Sequence, residues 1–103
     1  MKHKVFLHDN IERDINIIYN FCEIKYGTSY ALKIKSNIVK QFNSLGVFPN
    51  SNPYYFNLNG VHFRAKLVLN RYHIVYCVLD SLVIIYRVYD GRRNILPSDL
   101  FEN

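Results

Sequence analysis

Residues 61–93 read VHFRAKLVLNRYHIVYCVLDSLVIIYRVYDGRR. Val61, Phe63, Ala65, Leu67 and Leu69 alternate with His62, Arg64, Lys66, Val68 and Asn70, the period of a half-buried strand. Asn70-Arg71 is a two-residue turn candidate and Asp80-Ser81 a second. They bound two further strands, Tyr72 to Leu79 and Leu82 to Tyr89. Turns this short force antiparallel pairing. The stretch therefore predicts three consecutive antiparallel strands.

The register then places side chains. With a two-residue turn at Asn70-Arg71, Leu69 faces Tyr72, Val68 faces His73, Lys66 faces Val75 and Arg64 faces Cys77. Directly paired residues share a face of the sheet. Arg64, Lys66 and His73 are thus expected together, beside Val75 and Cys77, with Ile84, Tyr86 and Val88 on the same side. A turn one residue longer separates them.

Charge singles out the same stretch. Six of the thirteen Lys and Arg residues lie in it, against Asp80 and Asp90. Four of the chain's five net positive charges are therefore found here. A pI near 9.3 favours an anionic partner such as nucleic acid, a ribosome or an acidic protein.

Upstream, Pro49 to Gly60 (PNSNPYYFNLNG) reads as a loop whose Tyr54, Tyr55, Phe56 and Leu58 hold it against the body. Before it, Ala31, Ile34, Ile38, Phe42 and Leu45 mark the buried stripe of a helix. Thr28 or Ser29 is its expected cap, and Gly46 and Pro49 stop it. An earlier helix carries Ile11, Ile15, Ile18 and Cys22 on one stripe, widened by Ile17, Phe21 and Ile24. Asp9 and Glu12 have capping-box spacing at its start, and Gly27 suits its end. The short break between the helices predicts an antiparallel hairpin. Lys4 to Leu7 is a short N-terminal strand. After Gly91 comes a tail whose Leu96, Leu100 and Phe101 are expected to pack back on the sheet. The fold class is α+β: a short N-terminal strand and an antiparallel helical hairpin packed on an antiparallel sheet, in one domain over residues 1–103.

Half of the 103 residues are hydrophobic, which argues against disorder. No apolar run approaches the roughly 20 residues of a membrane helix. The N-terminus lacks the long apolar segment and cleavage site of a secretory signal. Cys22 and Cys77 are two thiols in apolar patterns, which read as reduced core residues of a cytoplasmic protein. No Cys and His cluster has metal-ligand spacing, so neither metal nor cofactor is expected.

The order of elements, with Gly60-Val61-His62-Phe63-Arg64-Ala65-Lys66, then Tyr72 to Val78, then Val83 to Asn94, resembles the RelE/ParE superfamily of bacterial type II toxins. The resemblance covers nearly the whole chain. It implies a cognate antitoxin as partner and one of two targets. RelE-like members cut mRNA in the ribosomal A site, using basic residues on the sheet. ParE-like members inhibit DNA gyrase without a nuclease centre. Arg64 and Lys66 match the basic strand pair of the nucleases, and Arg93 the arginine after their last strand. His73 stands where they often carry another arginine. Phe101 lies near the position of a functional Tyr, and Asp90 where a His is common. The D-G-R-R-N ending at Asp90 to Asn94 is closer to the ParE side.

RNA cleavage through the 2′-hydroxyl needs a base, an acid and stabilisation of charge at phosphorus. Arg64, Lys66 and Arg93 are candidates for holding the phosphate, and His73 for proton transfer. Without the resemblance, Arg64 and Lys66 read as the solvated face of a sheet. The sequence therefore leaves three functions open: a ribosome-dependent endonuclease, a gyrase inhibitor, or a non-catalytic basic RNA- or DNA-binding module.

Overall fold

A computed structural model describes residues 2–91 of the chain. The elements run β1 (Lys4–Leu7), α1 (Ile11–Tyr26), α2 (Thr28–Leu45), a 3-10 turn (Pro49–Ser51), β2 (Tyr54–Leu58), β3 (Val61–Val68), β4 (Tyr72–Leu79) and β5 (Leu82–Asp90). The sheet order is β1-β5-β4-β3-β2. Strands β2 to β5 pair antiparallel, and β1 joins β5 in parallel. Two helices on a five-stranded mixed sheet make the expected α+β fold, with two additions. The N-terminal strand adds a parallel edge, and the segment read as a loop from Pro49 to Gly60 supplies both a 3-10 turn and a strand.

That second strand has a local cause. Asn59 and Gly60 take φ values of 52° and 83°, and Leu58 pairs directly with Val61. This is an Asn-Gly hairpin turn, whose twist matches that of the flanking strands. The Asn57 side-chain oxygen accepts the Gly60 N–H at 3.1 Å and steadies it.

The helices bury the predicted stripes. Ile11, Ile15, Ile18 and Cys22 of α1 and Ala31, Ile34, Ile38, Phe42 and Leu45 of α2 are all buried. They pack on Val68, Tyr72, Ile74, Tyr76, Val83, Ile85 and Val88 of the sheet. The apolar face of α1 is narrower than its sequence suggests: Ile17, Phe21 and Ile24 are 57%, 42% and 87% exposed. Asp14, beside Ile11, Ile15 and Ile18, is buried with the stripe instead.

Gly27 and Gly46 end α1 and α2 as expected, but the N-terminal capping expectations are not met. Asn10, not Asp9, precedes α1, and no side chain caps it; the Asn10 N–H donates to His8 Nδ1 at 3.3 Å. Neither Thr28 nor Ser29 caps α2, because Gly27 alone separates the helices and is itself the residue before α2. Its φ of 96° turns the chain where other residues are strained. The Thr28 hydroxyl reaches back to the Glu23 carboxylate at 3.2 Å.

The β3–β4 register differs from the expected one by a residue. Leu69 and Asn70 both have positive φ, 55° and 53°, and the Arg71 N–H donates to the Val68 carbonyl. Leu69, Asn70 and Arg71 thus lie outside the ladder, and Val68 pairs with Tyr72. Lys66 then faces Ile74, Arg64 faces Tyr76, and His73 faces Leu67. Because side chains alternate, this single-residue shift exchanges the two faces of β3 relative to β4. The Asp80-Ser81 turn is a two-residue turn as expected, with Leu79 opposite Leu82.

A bulge resets the alternation in β5. Tyr76 pairs with Ile85 and Val75 with Arg87, leaving Tyr86 as the extra residue. Val83 and Ile85 face the helices, and beyond the bulge Val88 continues their row. Val88 was expected with Ile84 and Tyr86, and the bulge moves it to the other face. On the face away from the helices Phe63, Ala65, Val75, Cys77 and Tyr89 form a second buried cluster, with Ile84 and Tyr86 packed against it.

Candidate functional site

Of the four residues expected to act together, three lie among the described residues, and the register divides them between the two faces of the sheet. Arg64 and Lys66 share the sheet face that carries Tyr76 and Ile74, beside the helices. His73 shares the opposite face with Leu67. Arg93 lies outside the described residues, as do Arg92, Phe101 and the tail residues Leu96 and Leu100.

Each cation on the helix side has a structural use. The Arg64 guanidinium donates to the carbonyls of Asn50 and Asn52 and lies 4.2 Å from the Tyr54 ring centroid. It ties the 3-10 turn and the start of β2 to β3. The Tyr76 hydroxyl does the same from below, donating to the Pro49 carbonyl and accepting from Asn52 Nδ2. Lys66 Nζ donates to Ser44 Oγ at 3.0 Å and so bridges β3 to the last turn of α2.

His73 stacks on Tyr55, with centroids 5.9 Å apart. Its strand neighbour across the ladder is Tyr89. Burial pushes the Tyr89 phenol well above the ordinary range, with Tyr55 alongside adding to the effect. Tyr76 and Tyr86 are raised too, chiefly by burial, and burial also raises the Cys77 thiol. A phenol or thiol held protonated in this way is a poor base at neutral pH. This face offers ring surfaces and the imidazole of His73, with His8 stacked on Tyr86 and Lys4 at the β1 edge. Among the described residues no group of three or more His, Cys, Asp or Glu side chains converges to hold a metal ion.

Two ion pairs organise the region where β5 ends. Arg87 Nε and an Arg87 terminal nitrogen donate to the two Asp14 oxygens at 2.8 and 3.0 Å, and Asp14 Oδ2 also accepts the Val88 N–H at 3.0 Å. Both side chains are buried. The sequence reading missed Asp14, although it stands between Ile11, Ile15 and Ile18 on the buried stripe. An acidic residue in that position needs a buried cation, and Arg87 in the apolar run of β5 is the matching signal. Nearer the surface, Arg71 donates twice to Asp90 Oδ2, at 3.1 and 2.9 Å, and this contact raises its already high pKa further. Between α1 and the end of β5 lies a mostly apolar slot of about 170 Å³, walled by Ile17, Ile18, Phe21, Tyr72 and Val88, with Asp14 and Asp90 on its rim.

The helical hairpin is locked onto the last strand through Asp14 and Arg87, and the cations of β3 lie on the opposite sheet face from His73. Residues 5–95 match the family described as the ParE toxin of type II toxin–antitoxin system, parDE. The chain belongs to the ParE toxin family. Its fold is that of solved toxin–antitoxin structures. One is the chromosomal ParDE system from P. aeruginosa, with a TM-score of 0.74 at 20% identity, covering 86% of this chain and 96% of that one. Another is the RelBE2 complex from Mycobacterium tuberculosis, with a TM-score of 0.61 at 16% identity, covering 87% of this chain and 99% of that one. No curated protein sequence matches the chain significantly. Membership in the ParE family makes the chain a toxin-type protein. At these identities the two solved structures speak for the fold alone. No helix among the described residues is long and apolar enough to cross a membrane.

Proposed function

We propose that this ParE-family protein acts in the cytoplasm as the toxin of a two-protein system and arrests growth by inhibiting DNA gyrase, without cutting RNA. Residues 1–103 would act as one toxin domain, and a cognate antitoxin would neutralise it. The observation that carries this reading is the β3–β4 register, which sends Arg64 and Lys66 to one face of the sheet and His73 to the other. A nuclease needs its acid–base group and its phosphate-holding cations at one phosphorus. Here Arg64 holds the 49–52 turn, and Lys66 reaches toward the end of α2, away from His73. The family match and the Asp90-to-Asn94 ending favour the same side.

The test is a supercoiling assay with purified protein and gyrase. Loss of supercoiling or accumulation of cleaved DNA is the expected result. Cutting of mRNA on translating ribosomes, with gyrase unaffected, overturns the reading and restores the RelE-like alternative. Co-expression with the protein encoded by the adjacent gene is expected to abolish the effect.

A further inference from the structure

The carboxylates are distributed unevenly in the fold. Residues 24–79 contain no Asp or Glu at all, yet carry seven Lys and Arg residues. All of α2, β2, β3 and β4 falls within this segment, and β4, β3 and β2 are consecutive in the sheet. The acidic residues of the described chain lie in α1, in the turns beside it and beside β5, and at the end of β5. One flank of the molecule is therefore free of acidic side chains.

On that flank α2 carries a polar row opposite its buried stripe. Lys33, Asn37, Lys40 and Ser44 follow one another at spacings of four, three and four, so they lie along one side of the helix. Lys33 and Lys40 are exposed, and among the described residues neither forms an ion pair. The row does not stop at the helix end. Lys66 reaches across from β3 and places its ammonium 3.0 Å from Ser44 Oγ. Three ammonium groups are thus spread over about 16 Å, the length of eleven helical residues. Lys35 is set apart from them, its ammonium turned toward Tyr19 of α1.

We propose that this face of α2, with Lys33, Lys40 and Lys66, is a docking surface for the phosphate backbone of duplex DNA. The chemistry of the row argues for that occupant. Lysines are point charges that neutralise phosphates but read no sequence. Duplex DNA presents a phosphate charge about every 1.7 Å along its axis, so a straight row of this length spans several. Single strands are gripped by stacked aromatics, and the row holds none. The choice of duplex DNA among polyanions rests on the gyrase reading, since gyrase works on duplex DNA. The toxin would then engage its target together with the target's substrate.

The test is fluorescence anisotropy of the full-length protein with a random-sequence DNA duplex, titrated at rising salt. Neutralising three phosphates gives a slope of log affinity against log salt of about −2.7, or roughly a 40-fold loss from ~50 to ~200 mM. Lys33→Gln with Lys40→Gln is expected to cut that slope to about a third and to weaken binding at low salt by roughly 10-fold or more. Lys2→Gln with Lys4→Gln removes the same charge elsewhere and is expected to leave the slope unchanged. Equal loss in both variants overturns the proposal, as does an intact slope in the first. Tighter binding to the matching RNA duplex, or equal competition by polyglutamate, replaces DNA with another partner and also overturns it. Gyrase inhibition is measured on the same preparations. Inhibition without DNA binding removes this inference alone, and DNA binding without inhibition removes the gyrase reading alone.

Discussion

Asp14 and Arg87, 73 residues apart, form a two-pronged ion pair that is buried between α1 and β5. The same carboxylate takes the Val88 N–H just past the β5 bulge, so one acidic side chain fixes the helix to the strand at its irregular point. Asp14→Ala leaves the Arg87 charge buried without its counter-ion, which costs about 3–5 kcal/mol. Replacing both residues by apolar ones of similar size, Asp14→Leu with Arg87→Met, is expected to recover much of that loss. Urea unfolding of the two single variants and the double variant checks both statements. Additive losses would show that the pair does not act as a unit.

Much of the fold was legible because periodicity carries it. Both buried helix stripes and the strands β1, β3, β4 and β5 follow from the spacing of Ile, Val, Phe and Tyr. The failures come from single residues. Leu69 adopts a positive φ that its bulky side chain does not advertise, and that one residue reverses which face His73 shares with Lys66. The bulge at Tyr86 does the same to Val88. Strand β2 was signalled by Asn59-Gly60, a strong hairpin dipeptide that the surrounding Asn and Pro residues obscured. Of the candidate site, residue types were legible but not their juxtaposition, since that depends on register parity.

Arg64 and Tyr76 both hold residues 49–52, from neighbouring strands. Arg64→Ala and Tyr76→Phe are each expected to cost about 1–2 kcal/mol through lost hydrogen bonds. Because they share the same turn, their effects should be non-additive, with a coupling of about 0.5 kcal/mol or more. A thermal-denaturation cycle measures this. If Arg64→Ala removes toxicity while leaving stability unchanged, Arg64 belongs to the functional surface and not to the scaffold.

Gly91 sits where a side chain has no room. A Cβ there would come within 2.5 Å of the Arg71 carbonyl oxygen and 2.8–2.9 Å of the His73 ring. The Gly91 N–H also donates to that carbonyl, closing β5 onto the β3–β4 turn. Gly91→Ala is expected to displace His73 and destabilise the protein by about 1–3 kcal/mol, in line with overpacking. The His73 imidazole resonances in NMR report the displacement, and an unchanged spectrum would refute it.

The buried phenols predict the response to alkali. Tyr72 and Tyr89, and to a smaller degree Tyr76, have folded-state pKa values raised above the ordinary value of 10, with burial the main cause in each. Tyr72 is raised further by its contact with Cys22, whose sulfur lies 3.6 Å from the phenol oxygen. The unfolded chain releases these protons first. Their contribution to stability is therefore complete below pH ~10 and falls as pH rises from there toward the folded-state values. Each phenol that titrates only in the unfolded state adds about 1.4 kcal/mol of lost stability per pH unit. Stability from urea melts is expected to drop steeply above pH ~10, and Tyr72→Phe, which removes one such proton, to make the drop shallower. Phenolate absorbance of the buried tyrosines should rise in step with unfolding. Ionisation of Tyr72, Tyr76 and Tyr89 with the fold intact would contradict their burial.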